Sequence, residues 1–486
     1  MKNTILKIGC LLFAIVMILS TFVSCNLFGE TEETQPQTEV STNMEDVAPV
    51  DHKDWGGKTF DVLSVQNEYE SNFEIVGALD GTRIEPAVFQ RNLWIKENYN
   101  AEVVQHGESS MDSLDVLAAQ IEAGDRDYDL VFLFRDDMSS AIIKGYMTDL
   151  TTVDHLNFEN DWYNQSTIES MKIGGKLFHM VSDFSLVDKS RTNVLFFNRD
   201  LAKEDTSLPD VVSLVRSGDW TIEKMLLCAK AVDKNGDQIM NLEDQWGMVC
   251  GGKEVCYTAW KALGNELVTI KEDGNWSVNL TTDHSVKSID QVRKLFSSTI
   301  SFTGNKFGNY SDPSNTFVAG KAMFFSGCLG SIENISREAD FSFTALPFPK
   351  YDSAQTQYYT TNDNTYCATY GIPVCAEATE FSGYMIEILS WKSHTMTFPE
   401  YYNILCKVKN SYDTTCAEML DLVFKGLVFD FGLLNAKNIK GIRSTLEGSI
   451  YNGKSITTEY ASKGGTIESN IKNLFDAIDS FDDYEE

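Results

Sequence analysis

The stretch that decides the fold is YDLVFLF, residues 128–134. A short apolar run of this kind is typical of a β-strand that is buried on both faces of a parallel sheet. Working outward from it, strand patterns at 58–65 and 101–104 alternate with amphipathic helical patterns at 85–99 and 114–123. Alternation of strands and helices at this spacing predicts an α/β domain with a mainly parallel sheet.

The loops that follow these strands are the first candidates for ligand contacts, because ligands bind beyond the carboxyl ends of the strands in such sheets. Glu68 and Tyr69 follow the first strand, and Arg135, Asp136 and Asp137 follow the buried one. A solvated run of charges is the alternative interpretation of the second loop.

The amino terminus has the layout of a secretory signal. After two lysines, an apolar run covers residues 8–23, which is too short and wrongly flanked for a membrane span. The run ends on FVSC, which resembles a bacterial lipobox with Phe22 in place of the usual Leu. This predicts a signal peptide over residues 1–24 and a lipid on the thiol of Cys25. A plain secretory signal with Cys25 as an ordinary residue is the alternative.

Residues 25–54 are predicted to be a flexible linker behind that lipid. The segment 26–50 is rich in Thr, Glu, Gln and Pro and poor in large apolar side chains, so it cannot bury enough surface to offset its ordering entropy. No other apolar run approaches the length needed to span a bilayer. We therefore expect a folded body that works in solution, anchored to the outer face of the cell membrane.

The charge of the chain restricts its partners. The formal net charge is −31, and removal of residues 1–24 deletes two lysines and no acid, which gives −33. Such an excess of acids opposes binding to nucleic acids and to anionic membranes, since a polyanion needs a basic surface. A chain of 486 residues also exceeds what one hydrophobic core organises, so two domains are expected.

Eight cysteines remain once Cys10 and Cys25 are set aside. An even number in an exported protein permits disulfides. However, the sequence has no CxxC pair, and contexts such as MLLCAKA around Cys228 are typical of small buried side chains. We predict mostly free, buried thiols. The six histidines are scattered without HxH or HExxH spacing, so no zinc site is indicated.

Five further segments carry a family resemblance. In chain order the sequence is similar to the motifs "YDLV … G.L.DLT", "GK.Y … LYYNKDL", "WTWDE", "F..GKAAM" and "LP.PK", at residues 127–150, 175–201, 219–225, 317–324 and 346–350. Together, and behind a lipobox, they resemble the extracellular solute-binding lipoproteins of bacterial ABC importers. The resemblance is to family 1, the carbohydrate-binding type that includes proteins like the maltose-binding protein.

This resemblance implies a type II periplasmic-binding-protein fold with two α/β lobes and a ligand cleft between them. By analogy the first lobe is residues 56–160 plus 362–395, and the second is 161–361 plus 396–486. The chain would cross between lobes near 173–175 and again near 358–366. Gly174-Gly175 then serves either as a hinge or as a simple tight turn.

The resemblance also implies a monomer that binds an oligosaccharide and delivers it to a membrane permease. It places a stacking aromatic pair at Tyr257 and Trp260. Sugar binding relies on aromatic rings against the apolar faces of pyranoses and on planar polar groups that bind hydroxyls, in a pocket that is largely apolar. The sequence departs from many saccharide binders at FSGCLG, residues 325–330, where they carry a tryptophan. A ligand other than a sugar, such as a peptide, therefore stays open.

Two more pairs are candidate ligand contacts by the same analogy. Asp183 and Phe184 follow the strand that opens the second lobe, and Tyr358 and Tyr359 lie at the returning crossover. In each case packing in the protein interior is the alternative.

The segment DKNGDQIMNLED, residues 233–244, resembles the start of a calcium loop. Asp233, Asn235 and Asp237 hold positions 1, 3 and 5, the carbonyl of Ile239 holds position 7, and Asp244 holds position 12. Such an ion would stiffen the loop and do no chemistry. The alternative is an Asn-Gly-Asp turn that is capped by its own side chains.

No catalytic motif is present in the sequence. It lacks GxSxG, a P-loop and a GxGxxG behind a strand. A secreted glycoside hydrolase with two carboxylates is the rival hypothesis, but 71 acidic residues make chance pairs inevitable. An adhesin would show repeats or an all-β pattern. We therefore expect a binding protein with no catalytic residues.

Overall fold

The computed structural model of the protein describes residues 47–66, 74–81, 83–109, 112–234, 236–253, 255–271, 274–297, 300–303, 312–362, 367–408, 411–412 and 414–481. The predictions made for Cys25, Glu68, Tyr69, Asn235 and the signal peptide lie outside these ranges. Residues 48–486 form one unit, to which the following description applies. No helix in the described ranges is long and apolar enough to cross a bilayer.

The described strands are β1 Lys58–Gln66, β2 Ala101–Ser109, β3 Leu130–Phe134, β4 Asn193–Asn198, β5 Trp246–Cys250, β6 Val268–Ile270, β7 Trp276–Val278, β8 Ser301–Thr303, β9 Ala322–Cys328, β10 Phe343–Leu346, β11 Ala368–Gly371, β12 Lys407–Val408 and β13 Ser411–Tyr412.

The described α-helices are α1 Glu85–Tyr99, α2 Ser113–Ala123, α3 Arg135–Ile143, α4 Gln165–Met171, α5 Val187–Ser190, α6 Arg199–Lys203, α7 Val211–Ser217, α8 Ile222–Cys228, α9 Val255–Ala262, α10 Asp283–Leu295, α11 Asp312–Val318, α12 Ile332–Glu338, α13 Thr379–Thr395, α14 Thr397–Cys406, α15 Thr414–Lys425, α16 Phe431–Leu434, α17 Ile442–Tyr451 and α18 Ile456–Asp479. Two short 3-10 helices cover Leu150–Thr152 and Leu329–Ser331.

The first sheet has the order β11-β3-β1-β2. Strand β1 is parallel to β2 and β3, and β11 is antiparallel to β3. All five positions of β3 are buried, which confirms the strand predicted from YDLVFLF. Because its apolar side chains face helices on both sides, the sheet needs no polar face. Helix α2 ends at Gly124, whose φ of 75° is the left-handed conformation that favours glycine after a helix.

The second sheet has the order β10-β4-β9-β5-β8. Strand β5 is parallel to β8 and β9, whereas β4 is antiparallel to both β9 and β10. In each sheet, one strand next to a passage between the two sheets is antiparallel to its neighbours. This strand is β11 in the first sheet and β4 in the second. Two α/β lobes result, as predicted.

Three chain segments lie side by side between the sheets and form a connecting ribbon of residues 192–193, 360–362 and 426–428. Thr192 pairs with Asn362, and Asn193 N donates to Thr361 O at 2.8 Å. Thr360 N donates to Gly426 O at 2.9 Å, and Val428 N donates to Thr360 O at 3.0 Å. This backbone pairing fixes how the three segments enter and leave the lobes.

The first crossing lies later in the chain than predicted. Ile173 and Lys176 pair with each other across Gly174 and Gly175, whose φ angles are 60° and 84°. The two glycines form a tight turn, their role as a hinge stays a prediction, and the passage occurs at Thr192. The return at 360–362 lies within the predicted range 358–366.

Residues from the start of the predicted second lobe pack into the core of the first. Tyr163, Ile168, Met171 and Val187 share a buried cluster with the β1 residue Phe60. Their apolar surface is thereby removed from water on the first sheet, so this lobe extends beyond residue 160. Six of the eight body cysteines are buried, and Cys328 and Cys375 are partly exposed.

Candidate functional site

A cleft of about 980 Å³ opens between the lobes beside the connecting ribbon. One wall comes from α4 and the turn after it. The opposite wall comes from the end of α9 and from β6. The floor comes from residues next to the ribbon. The main contributors are Ser166, Glu169, Ser170, Lys172, Lys261, Asn265, Glu266, Val268, Lys271, Gln357, Tyr359, Phe429, Asp430, Phe431 and Phe475.

Asp430 anchors the floor of the cleft and is 3% exposed. Its Oδ1 accepts from Leu433 N at 3.1 Å and so caps α16, while its Oδ2 accepts from Leu267 N at 2.9 Å. Lys261 Nζ lies 3.6 Å from the same carboxylate. A buried carboxylate is tolerated only when it is paired and hydrogen-bonded, and these three partners meet that need.

The charges on the walls are also paired across short distances. Lys172 Nζ lies 2.7 Å from Glu169 Oε1 on the first wall. On the opposite wall, Glu266 accepts a hydrogen bond from Thr269. The cleft therefore presents carboxylates and ammonium groups together rather than a field of one sign. Such a lining suits a ligand with many hydroxyl groups, because each of these groups can both donate and accept.

A much smaller cavity of about 20 Å³ adjoins the floor, and we name it the annex. It shares Val428, Phe429 and Asp430 with the cleft. Its remaining lining residues are Arg135, Thr361, Asn362, Cys367, Thr369, Leu433 and Leu434. The annex thus connects the first lobe, the ribbon and α16.

The charged run after β3 begins helix α3 directly, without a loop. Arg135 is buried and lines the annex, and its Nε and Nη2 donate to Asp136 Oδ1 at 3.1 and 2.9 Å. Asp137 lies 3.0 Å from Lys437 Nζ. Of the three predicted contacts, only Arg135 lines the cleft or the annex, and ion pairs engage the two carboxylates.

Tyr257 and Trp260 lie behind the cleft wall and not on it. Both are completely buried, and all eight positions of α9 are buried. Only Lys261, next to Trp260, reaches the cleft from this helix. The expected stacking wall is therefore corrected to core packing, because full burial gains more apolar area than a half-open wall position would.

Asp183 and Phe184 also lie in the interior. Phe184 is fully buried and packs against Phe132 and Tyr370. Asp183 is held by Lys189 Nζ at 2.7 Å and by His394 Nδ1 at 2.6 Å. Burial alone would raise the pKa of Asp183, but these two partners bring it below its usual value.

The tyrosine pair at the return crossing divides between core and cleft. Tyr358 is buried, and its hydroxyl donates to Val215 O at 3.0 Å. Tyr359 is half-buried and lines the cleft. Of the predicted contacts in the described ranges, Tyr359 alone lines the main cleft.

The floor residues Phe429, Asp430 and Phe431 were missed by the sequence argument. They follow the third segment of the ribbon, and no strand-end rule covers that position. The local signal is the sequence VFDF, a single acid between aromatic residues within an apolar stretch. An unpaired acid in such a stretch would be costly to bury, which marks it as a position that needs partners.

The described part of the calcium-like loop is satisfied by its own backbone. Asp233 accepts from Gly236 N and Gln238 N at 2.7 and 2.8 Å, and Asp237 accepts from Ile239 N at 2.7 Å. Asp244 accepts from Lys234 N at 2.9 Å. No three metal-binding side chains converge in the part of the chain that the structure describes. These residues fit the self-capped turn, and calcium binding stays a prediction.

A scan against protein-family models finds no match, and no curated protein matches the sequence. Solved structures do match. The maltose-binding periplasmic protein of Listeria monocytogenes, in complex with maltose, is 14% identical over 86% of this chain and 98% of that chain, with a TM-score of 0.56.

Two further solved structures agree with this match. The sugar-binding protein of Xanthomonas citri has a TM-score of 0.56 at 11% identity over 87% of this chain and 98% of that one. The extracellular solute-binding protein of Staphylococcus aureus, in complex with maltose, has a TM-score of 0.54 at 15% identity over 85% and 98%. These TM-scores show that the fold is shared, and at identities this low they show the fold alone. The predicted two-lobed type II fold is therefore confirmed.

Proposed function

We propose that this chain is the substrate-binding component of an ABC importer, which captures an oligosaccharide in the cleft and delivers it to a membrane permease. The observation that carries the proposal is a cleft of about 980 Å³ between the two lobes, beside the three-segment connecting ribbon. Pockets for drug-sized ligands occupy roughly 300–1,000 Å³, so this cleft lies at the upper end of that range and has room for a short oligosaccharide. Proteins of the same fold hold maltose.

The lining of the cleft supports a neutral, hydroxyl-rich ligand. The Glu169–Lys172 pair, and Lys261 beside the buried Asp430, can bind hydroxyls without a net charge to balance. Tyr359, Phe431 and Phe475 add aromatic surface, which can contact the apolar face of a sugar ring. Binding without catalysis is the function that this arrangement serves.

The amino-terminal sequence completes the proposal. A signal peptide over residues 1–24 and a lipid on Cys25 would hold the body at the outer face of the cell membrane. Cys25→Ser should then move the protein from the detergent phase to the aqueous phase in a phase-partition assay. Membrane retention of that variant would contradict the anchor.

The experiment is a thermal-shift screen of the body from residue 48 onward with maltotetraose, cellotetraose and tetraalanine. An oligosaccharide that binds the native state raises the melting temperature, because binding adds RT ln(1 + [L]/Kd) to the free energy of unfolding. This term is about 2.7 kcal/mol at a hundredfold excess over Kd. The ligand should be recovered intact by chromatography. Stabilisation by the peptide alone would point to a non-sugar solute, and hydrolysed sugar would point to a glycoside hydrolase.

A further inference from the structure

Two nearly buried polar side chains lie at the end of helix α9 and line the cleft. Lys261 is 9% exposed, and Asn265, which follows the helix, is 6% exposed. Polar groups at this degree of burial are normally hydrogen-bonded within the protein. Each of these two side chains nevertheless has one polar atom for which the described residues provide no hydrogen-bond partner.

The first such atom is the ammonium nitrogen of Lys261. It lies 3.6 Å from Asp430 Oδ2, which is close enough for an ion pair and too far for a hydrogen bond. Asp430 already accepts from Leu267 N and Leu433 N. No described residue accepts a hydrogen bond from Lys261 Nζ, which carries three donors. The charge of the ammonium is therefore balanced, while its donors still need acceptors.

The end of helix α9 does not use these donors either. A lysine in the last turn of a helix can bind the terminal carbonyl oxygens, but here other groups occupy them. The carbonyl oxygens of residues 260–263 accept from Asn265 Nδ2, Gly264 N, Gln355 Nε2 and His284 Nε2, at 2.8, 2.9, 2.9 and 2.8 Å. Acceptors for Lys261 are therefore expected from the cleft that it lines.

The second such atom is the amide oxygen of Asn265. The amide is held in place because its Nδ2 donates to Trp260 O. Its Oδ1 accepts no hydrogen bond from the part of the chain that the structure describes, and it keeps some accessible surface, as Lys261 Nζ does. An amide oxygen only accepts, and an ammonium only donates. Together the two side chains offer a ligand both kinds of partner.

This combination restricts the chemistry of the ligand. A carboxylate could accept from Lys261, but it would lie near the Asp430 carboxylate and would have no donor for Asn265 Oδ1. A cation would be repelled by Lys261. A hydroxyl group satisfies both side chains, because it accepts from one and donates to the other.

We propose that Lys261 and Asn265 form a clamp for one hydroxyl group of a neutral sugar unit, an inference that rests on the proposed function. Lys261 Nζ donates to the hydroxyl oxygen, and the hydroxyl donates to Asn265 Oδ1. Asp430 balances the charge of the ammonium and so positions it. The clamp selects neutral sugars over uronates.

The first test is Lys261→Met, which keeps the apolar stem and removes the donors. Calorimetry with maltotetraose or cellotetraose, whichever stabilises the wild type, should show at least about tenfold weaker binding. Lys350→Met is the matched control. Lys350 is 5% exposed, its Nζ donates to Gln355 O at 2.8 Å, and it does not line the cleft. Its loss should lower the melting temperature and leave Kd unchanged, and an equal loss of affinity in both variants would count against the clamp.

The second test is Asn265→Ala, which leaves Lys261 and Asp430 in place and so probes the clamp even where Lys261→Met does not fold. Loss of the amide oxygen should weaken binding of the same tetrasaccharide about threefold to tenfold. Because both side chains hold one hydroxyl, the double variant should lose less affinity than the product of the two single losses.

A charged ligand tests the selectivity. Tetragalacturonate should leave the melting temperature of the wild type unchanged. An unchanged Kd in folded Lys261→Met or in Asn265→Ala, single losses that multiply in the double variant, or tighter binding of tetragalacturonate than of the neutral sugars would overturn the clamp and leave the proposed function intact. A wild type that binds none of these oligosaccharides would overturn both.

Discussion

Helix α9 and the segment 426–431 both adjoin the cleft, and each carries two aromatic residues, yet they differ in what they present to a ligand. Tyr257 and Trp260 on the helix are fully buried. Phe429 and Phe431 on the segment keep 8% and 5% exposure and line the cleft floor. The same residue type is therefore wholly enclosed on the helix, whereas on the segment it reaches the cleft floor while it also packs in the core.

The difference follows from how each backbone is held. A helix can rotate its apolar face into the core, because every backbone group is satisfied within the helix itself. The segment is fixed by hydrogen bonds between Thr360 and both Gly426 and Val428, so the residues that follow it stay at the cleft. Phe429 and Phe431 line the cleft because the backbone just before them is hydrogen-bonded to Thr360 and cannot turn their side chains away.

The largest effect is expected from Trp260→Ala, which tests whether Trp260 belongs to the core. Removal of a fully buried tryptophan leaves a cavity, so we expect a loss of about 3–5 kcal/mol in the free energy of unfolding, measured by urea denaturation. Trp276→Ala is the matched control, because that tryptophan is only partly buried on β7, and it should lose less. If a stably folded Trp260→Ala protein bound the oligosaccharide at least about tenfold more weakly, Trp260 would lie on the cleft wall and the comparison would be wrong.

Tyr359→Ala sharpens the comparison at the cleft itself. Loss of its apolar surface, roughly 1.5–3 kcal/mol when buried by a ligand, should weaken oligosaccharide binding at least about tenfold while the melting temperature changes little. Its neighbour gives the control. Tyr358→Phe removes the bond to Val215 O and should cost about 1 kcal/mol of stability with no change in Kd. The reverse pattern would place Tyr358 on the cleft and Tyr359 in the core.

The smallest effect is expected from chelation. Each of the described carboxylates Asp233, Asp237 and Asp244 already accepts a backbone hydrogen bond, so a self-capped turn needs no ion. The calcium loop predicted from the sequence requires a lower melting temperature in calorimetry with a chelator, and an unchanged one would leave the self-capped turn. A fall that added calcium reverses, and that Asp233→Ala abolishes, would establish the calcium loop that the sequence pattern predicts.

The sequence by itself determined the α/β class and the elements β1 to β3, α1 and α2, because local periodicity reports which side of an element is apolar. It identified β3 as a fully buried strand, and a family resemblance supplied two lobes with a cleft. Within the site it reached Tyr359 and Arg135, where a crossover or a strand end marks the position.

Only the tertiary structure decided which residues meet. Arg135, Asn362 and Asp430 are far apart in sequence and share one cavity because three segments of the ribbon lie side by side. It also decided that Tyr257, Trp260 and Phe184 are core residues. Burial of an apolar side chain is favourable at any position in the protein. Composition therefore cannot distinguish an aromatic residue in the core from one in the cleft. The path of the backbone, fixed by long-range pairing, makes that distinction.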